Sequence, residues 1–146
     1  MRIASTAFTE GGFIPLRHTC DGADVSPALS WADVPDGTVA FSLLVVDPDA
    51  PGGTFVHWVV FNIGGNRRGM EEGRTPPECQ LGTNDFGRAT YSGPCPPRGN
   101  PHSYHFTLYA MDARVAARKG CTMGELERAM KGHTLDEAHI IGLYGR

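Results

Sequence analysis

Four side chains in the middle of the sequence could bind or transform a small polar ligand: one carboxyl, two imidazoles and one phenol. They are Asp47, His57, His102 and Tyr104. His102 and Tyr104 are two residues apart in an extended run, so both point to one face of the predicted strand. Imidazole and phenol groups donate hydrogen bonds to phosphate or carboxylate oxygens. These residue types therefore favour a pocket for a small anion.

The carboxyl group of Asp47 has a predicted structural role. His57 lies in an apolar run with Phe55 and Val59 two residues away on either side. A buried imidazole is costly unless its ring nitrogens have hydrogen-bond partners. Asp47 ends the preceding apolar run, and we predict that it orients His57 without touching the anion, because two negative charges in a small cavity repel each other.

Proline-rich loops flank these side chains. They cover residues 47–53 (DPDAPGG) and 91–100 (YSGPCPPRGN). Proline fixes the backbone and lacks an N–H, so the second loop cannot form a phosphate nest of successive amides. Singly, each candidate residue is more often structural than functional, but rigid loops beside them favour a pre-organised cavity that recognises its ligand through side chains.

Catalytic and metal-binding alternatives are weaker. Cys95 as a nucleophile would be followed by Pro96, which has no N–H for an oxyanion hole, and there is no G-x-S-x-G motif. A metal site could use His18, Cys20, Cys95 and His102. Their spacing matches no standard metal signature. We therefore expect a protein that is not an enzyme, with no catalytic residues, no metal and no cofactor; a hydrolase built on Cys95, or on His57 and Asp47, is the less favoured alternative.

Three apolar runs predict the strands that position these side chains. They cover residues 39–46, 55–62 and 102–111. The first is apolar on both faces, as in a central strand, and the third alternates. A capping box of Thr122 and Glu125 predicts a helix over about residues 123–131. Residues 138–144 predict a final strand, with shorter early strands at 25–31 and 13–14.

Length and composition set the frame for these elements. The 146 residues predict one domain, 1–146. The chain contains 19 Gly and 11 Pro, which favours turns and strand connections and excludes a helix bundle. A net charge of −3 without a basic stripe makes nucleic-acid binding unfavourable.

Apolar runs and cysteines bear on location. No apolar run is long enough for a transmembrane segment, and the N-terminus lacks a signal-peptide pattern, so we expect a cytoplasmic protein. The four cysteines are Cys20, Cys79, Cys95 and Cys121. Because they include no C-x-x-C pair, we expect four thiols and no disulfide.

Two longer motifs resemble the signature regions of the phosphatidylethanolamine-binding protein family, which includes Raf kinase inhibitor protein and plant flowering-time regulators. They are DPDAP (47–51) followed by HW (57–58), and YSGPCPPRG (91–99) followed by HSYHFTLYA (102–110). Segments 19–22, 26–27, 84–87 and 142–146 look like the bacterial and archaeal branch. The resemblance extends over essentially the whole chain, and two such motifs in this order are far more specific than one short pattern.

The resemblance implies a mainly β fold of packed antiparallel sheets with one or two short peripheral helices. It places a small anion pocket at Asp47, His57, Pro97, His102 and Tyr104. The implied function is non-enzymatic binding of a small anionic or phosphorylated ligand. It includes regulation of a protein partner such as a kinase. Protease inhibition, reported for some members, is the alternative function. The partners considered also include a second copy of the chain, in a homodimer. Ser103 stands where the family usually has a basic residue, which weakens the transfer of kinase regulation.

Overall fold

Two antiparallel sheets and one α-helix make up the computed structural model, which describes residues 1–146. The strands are β1 (Arg2–Ala4), β2 (Leu29–Ala32), β3 (Ala40–Asp47), β4 (Phe55–Gly64), β5 (Gly69–Met70), β6 (Gln80–Leu81), β7 (His102–Met111) and β8 (Thr134–Tyr144); the helix is α1 (Met123–Met130). The small sheet has the order β1-β2-β5 and the large sheet β6-β4-β3-β7-β8. The expected mainly β fold with a short peripheral helix is confirmed.

The three principal strands match their predicted positions. β3 lies in the middle of the large sheet between β4 and β7, and every residue except Val46 is buried, which explains why it is apolar on both faces. β7 has the predicted bounds, and β4 runs two residues further than predicted. β8 begins four residues before the predicted start.

The early segments are less regular than the sequence indicated. Of the predicted strand at 25–31, only residues 29–31 lie in a strand, β2, which continues to Ala32. Phe13 makes a single parallel bridge to Leu143 instead of forming a strand. Position 142, next to this bridge, requires glycine, because a Cβ there would lie 2.5 Å from Cγ1 of Ile14. The N-terminal segment therefore covers one end of the outer edge of β8.

Apolar side chains form two clusters on opposite faces of the large sheet. The larger cluster joins the two sheets and includes Trp31, Phe41, Trp58 and Phe106. The smaller cluster lies beneath α1, where Leu126 is fully buried. The predicted capping box of Thr122 and Glu125 is present at the start of this helix. No helix reaches the length and apolar character needed to cross a membrane.

A bulge in β4 determines where His57 points. Val45 pairs with Trp58, whereas the next residue, Val46, pairs with Val56. His57 is therefore the extra residue between two paired positions. Bulges of this kind bend a strand and re-aim a side chain.

Candidate functional site

The five predicted site residues lie together around one cavity of about 200 Å³. It is lined by Asp47, Ala50, Pro51, Phe55, His57, Phe86, Cys95, Pro96, Pro97, His102 and Tyr104. These residues come from the ends of β3 and β4, the start of β7 and the loops beside them. Since one water occupies about 30 Å³ of liquid, the cavity has room for a small ligand.

His57 is held by the backbone of a neighbouring loop. Its Nδ1 donates to the carbonyl oxygen of Ser92 over 2.6 Å, and the residue is 3% exposed. Burial lowers the pKa of His57 below its ordinary value, although the hydrogen bond to Ser92 opposes that shift. His57 therefore presents a neutral ring to the cavity at neutral pH.

Asp47 holds His102 instead of His57. Its Oδ2 accepts from Nδ1 of His102 at 2.7 Å, and its Oδ1 accepts from the backbone N–H of Asp49 at 2.8 Å. The prediction that Asp47 orients His57 is wrong. Asp47 pairs with Phe55 across the sheet, and the bulge removes His57 from a position opposite the β3 strand.

Tyr104 brings an unpaired hydroxyl to the cavity. The residue is 1% exposed, and its hydroxyl has no hydrogen-bond partner in the protein. Its ring packs edge-on against His57, with centroids 5.3 Å apart. Burial raises the pKa of Tyr104, so this hydroxyl keeps its proton. A buried hydroxyl without a partner is costly unless a ligand or a water binds it.

One buried asparagine organises the wall beside His57. Nδ2 of Asn84 donates to the carbonyl oxygens of His57 and Thr90, at 3.1 and 2.9 Å, and to the hydroxyl of Ser92 at 3.1 Å. Its Oδ1 accepts from the N–H groups of Phe86 and of residue 88. Asn84 thereby links His57 to the loop that carries its hydrogen-bond acceptor.

Phe86, which the sequence reasoning missed as a site residue, forms the outer aromatic wall of the cavity. Its ring lies edge-on to Phe55 and to His57, with centroids 4.8 and 5.6 Å apart, and the residue is 41% exposed. The only sequence signal near Phe86 is segment 84–87, which resembles the bacterial and archaeal branch of the family. The position of the Phe86 side chain could not be predicted from the sequence, because it depends on the loop geometry that Asn84 imposes.

A disulfide between Cys20 and Cys95 joins two loops at the cavity. The expectation of four thiols is wrong, and Cys79 and Cys121 are the two free cysteines. The pair is separated by 75 residues, and the fold brings its Cα atoms to 5.4 Å. Sequence spacing could not indicate this pairing. In the disulfide, Cys95 cannot act as a nucleophile. Neither Cys20 nor Cys95 can then provide a thiolate for the metal site that the sequence suggested as an alternative.

Further contacts fix the loop that contains Cys95. The N–H of Gly93 donates to Oδ1 of Asp24 at 2.8 Å. A Cβ on Gly93 would lie 2.2 Å from the carbonyl oxygen of His18, so only glycine fits at this position. Nη2 of Arg146 donates to Asp21 at 2.9 Å, and its Nη1 donates to the carbonyl oxygen of residue 96 at 3.3 Å. The loop is therefore anchored on both sides of the disulfide.

A serine, a histidine and an aspartate also meet outside the cavity. The hydroxyl of Ser103 donates to Oδ2 of Asp49 at 2.6 Å and lies 3.2 Å from Nε2 of His105. The Ser103 contacts lower the pKa of Asp49. A nucleophilic serine must give its proton to the imidazole, whereas this hydroxyl gives it to the carboxylate. The group stabilises the turn after β3 and does not form a catalytic triad.

The sheets and the cavity define a small mainly β protein of the ligand-binding type. A family model described as phosphatidylethanolamine-binding protein matches residues 4–145. The UPF0098 protein of Aquifex aeolicus is 45% identical over 100% of this chain and 89% of its own length. The chain belongs to the phosphatidylethanolamine-binding protein family, as its motifs indicated.

Two crystal structures show the same fold. CT736 from Chlamydia trachomatis superposes with a TM-score of 0.94 at 35% identity, covering 99% of this chain and 97% of that protein. YbcL from E. coli, described as a new member of the mammalian PEBP family, has a TM-score of 0.93 at 29% identity, with 99% and 98% covered. The arrangement of sheets described above is therefore that of the family.

Proposed function

We propose that this protein binds a small oxyanion or a phosphorylated group in the cavity between His57, His102 and Tyr104, and that it does so without catalysis. The observation that carries this proposal is the buried hydroxyl of Tyr104, which has no partner in the protein and belongs to a residue that lines the same cavity as the two imidazoles. A ligand oxygen that accepts from this hydroxyl satisfies it. Asp47 and Pro97 complete the proposed site: one orients His102 and the other forms a rigid wall.

The histidines add to this site when they are charged. In each ring Nδ1 is already bonded within the protein, to Ser92 or to Asp47, so Nε2 is the nitrogen left for a ligand. Protonation turns Nε2 from an acceptor into a donor and adds a positive charge. Anion affinity should therefore rise as pH falls.

The absence of catalysis is supported by what lines the cavity. Cys95 is in a disulfide, and the lining contains no serine, threonine or lysine to act as a nucleophile. Ser103 is engaged with Asp49. We expect no turnover of esters, peptides or phosphomonoesters above background; an activity abolished by His57→Ala would contradict this.

Sulfate is the probe that tests the proposed site, because it keeps the same charge between pH 8 and 5.5. Calorimetry should show one site whose affinity increases several-fold as pH falls through the histidine range near about 6.5. The increase should be smaller in His102→Gln, which has one imidazole fewer at the cavity. His139→Gln is the matched control, because His139 is exposed on β8, outside the cavity lining.

Nuclear magnetic resonance locates the bound anion. Sulfate should shift the resonances of His57, His102 and Tyr104 before those of surface loops. Binding that leaves these three residues unperturbed would show that the site is elsewhere. A pH-independent affinity would mean that neutral donors hold the anion and that the histidines are structural.

A protein partner is a second part of the proposal, and it would meet the mouth of the cavity. Exposed Phe86 lies there with the exposed prolines Pro51 and Pro97, giving an apolar rim around polar groups. Inhibition assays with panels of kinases and proteases test this part. Inhibition that Phe86→Ala removes would support it, and a partner that is insensitive to Phe86→Ala would use another surface.

The expected cytoplasmic location is tested through the disulfide. Disulfides are rare in reducing cytoplasm and persist in oxidising compartments. Alkylation of intact cells before lysis should label Cys20 and Cys95 if the protein resides in a reducing compartment. If Cys20 and Cys95 stay unlabelled because they are bonded to each other, the protein resides where disulfides are maintained.

A further inference from the structure

The hydrogen-bonding pattern of the cavity is fixed by its surroundings. The carbonyl oxygen of Ser92 can only accept, so Nδ1 of His57 must carry the hydrogen. A carboxylate likewise only accepts, which places the hydrogen of His102 on the Nδ1 that contacts Asp47. When it is neutral, each ring therefore leaves a lone pair on Nε2. The cavity offers a ligand two acceptors and one hydroxyl, that of Tyr104.

The charges at the cavity do not suit a doubly charged anion. Its lining includes the carboxylate of Asp47 and no lysine or arginine. Asp24 also acts on His57 from the neighbouring loop, and Asp49 acts on His102 from the turn after β3. The aromatic rings of Phe55 and Phe86 complete the surroundings of His57. A dianion would meet negative charges and two nitrogen lone pairs.

We propose that the cavity selects a hydrogen-bearing oxyanion, namely inorganic phosphate or a phosphomonoester in its monoanionic form. The P–OH group donates to Nε2 of His57 or His102, and a phosphoryl oxygen accepts from the hydroxyl of Tyr104. This inference rests on the proposed function, because it assumes that the cavity binds an oxyanion. It adds a rule of specificity: the ligand must bring its own proton.

The rule separates ligands of similar shape. Sulfate at neutral pH has no hydrogen to donate, so it can bind well only after the protein takes up a proton. A phosphodiester has one negative charge but no P–OH group. A phosphomonoester, whose second pKa is about 6, is partly monoanionic at pH 6.5 and has both the charge and the hydrogen. A phosphodiester lipid headgroup is therefore disfavoured relative to a monoester.

Burial supports a neutral ring as the resting state of His57. The pKa of His57 is lowered because the ring is desolvated. Charging this ring to accommodate sulfate works against that shift. A ligand that supplies the proton leaves His57 neutral.

The test compares three probes at pH 6.5 and equal ionic strength: methyl phosphate, dimethyl phosphate and sulfate. We expect methyl phosphate to bind about tenfold more tightly than either of the others, which corresponds to about one good hydrogen bond. Dimethyl phosphate separates the effect of the hydrogen from that of the charge. Equal affinity for methyl and dimethyl phosphate would overturn the inference while leaving oxyanion binding intact. Failure of all three to bind would overturn the proposed function itself.

The position of the proton gives a second readout. In the methyl phosphate complex, the ¹⁵N shifts of His57 and His102 should remain those of neutral rings with an accepting Nε2. In the sulfate complex at least one ring should become protonated. Protonated rings in both complexes would show that the protein, and not the ligand, carries the hydrogen, which contradicts the inference.

Two variants test the assigned roles. Tyr104→Phe removes a contact common to all three probes, so it should weaken them by similar factors. His102→Gln can turn an amide donor toward the ligand, so it should reduce the preference for methyl phosphate over sulfate. His139→Gln should change neither property. Circular dichroism verifies the fold of His102→Gln. If this variant keeps the preference and His57 stays neutral in the complex, His57 alone makes the selection. If it keeps the preference and His57 is protonated, the inference is overturned.

Discussion

His57 and His102 differ in what holds their Nδ1 atoms, and this difference gives them different parts in the site. A backbone carbonyl holds His57, and a carboxylate holds His102. A carbonyl fixes the tautomer and adds no full charge, whereas a carboxylate also stabilises a positive ring. His57 is therefore held by a neutral acceptor on the loop, whereas His102 is held by an anionic one at the end of β3.

The titration of His57 is the prediction at the scale of single residues. Burial lowers its pKa, so in the free protein its midpoint should fall below the ordinary value of about 6.5. Bound sulfate favours the charged ring and should raise that midpoint. Histidine ¹⁵N and ¹H shifts recorded between pH 8 and 5 measure both effects. A midpoint at or above 6.5 without anion would show that the surrounding charges outweigh burial.

Residue types predicted the members of the site but not their pairing. Asp47, His57, His102 and Tyr104 could be selected because imidazole, phenol and carboxyl groups beside rigid loops suit anion recognition. The partner of Asp47 could not be selected, because a bulge shifts the register of β4 by one residue and sequence alternation assumes that no bulge is present. Ser92, which holds His57 through a backbone carbonyl, gives no side-chain signal at all.

Among the elements, the segment from residue 84 to residue 92 matters most for the site. Five hydrogen bonds to the side chain of Asn84 hold both ends of this segment and attach it to β4. The segment places the carbonyl of Ser92 on His57 and the ring of Phe86 at the cavity mouth. A long connection between strands thus forms a rigid wall because one buried amide satisfies its backbone.

Replacement of Asn84 by alanine tests this role. The change leaves several buried backbone groups without partners, so we expect a loss of stability of about 2–4 kcal/mol in urea unfolding. Methyl phosphate affinity should also fall several-fold at a temperature where the variant is folded, because His57 loses its fixed acceptor. Asn66→Ala, at an exposed asparagine, should change neither quantity.

The capping box of α1 provides the control for a purely structural loss. Thr122→Ala should destabilise the protein by about 1 kcal/mol because the N–H of Glu125 loses its acceptor. The helix packs on the sheet face formed by the smaller cluster, away from the cavity lining. Affinity should therefore stay constant in this variant. A parallel fall of affinity in Thr122→Ala and Asn84→Ala would mean that stability alone accounts for both.

At the scale of the whole molecule, local patterns predicted the elements well and the long-range contacts poorly. β3, β7 and α1 could be predicted because apolar periodicity and a capping box are local signals. β5 and β6 are two residues long and have no periodicity to detect. The disulfide joins positions 75 residues apart, and its partners meet only after the sheets have packed.

The Cys20–Cys95 bond carries the last prediction, because it connects overall stability with the shape of the site. The bond joins positions 75 residues apart and so restricts the unfolded chain. We expect it to contribute about 2–4 kcal/mol to the free energy of unfolding. The double change Cys20→Ser with Cys95→Ser should lower the urea midpoint accordingly. It should also weaken methyl phosphate binding, because Cys95, Pro96 and Pro97 form one wall of the cavity.

Two comparisons distinguish the bond from a general effect of cysteine replacement. Cys79→Ser changes a free, half-buried thiol away from the cavity and should leave affinity unchanged. Dithiothreitol should reproduce the double variant in the wild-type protein and have no effect on the double variant itself. Because the contacts of Gly93 with Asp24 and of Arg146 with Asp21 do not involve the sulfur atoms, the loop should loosen without unfolding the sheets. Unchanged affinity after complete reduction would show that these contacts alone hold the wall, and that the disulfide acts only on stability.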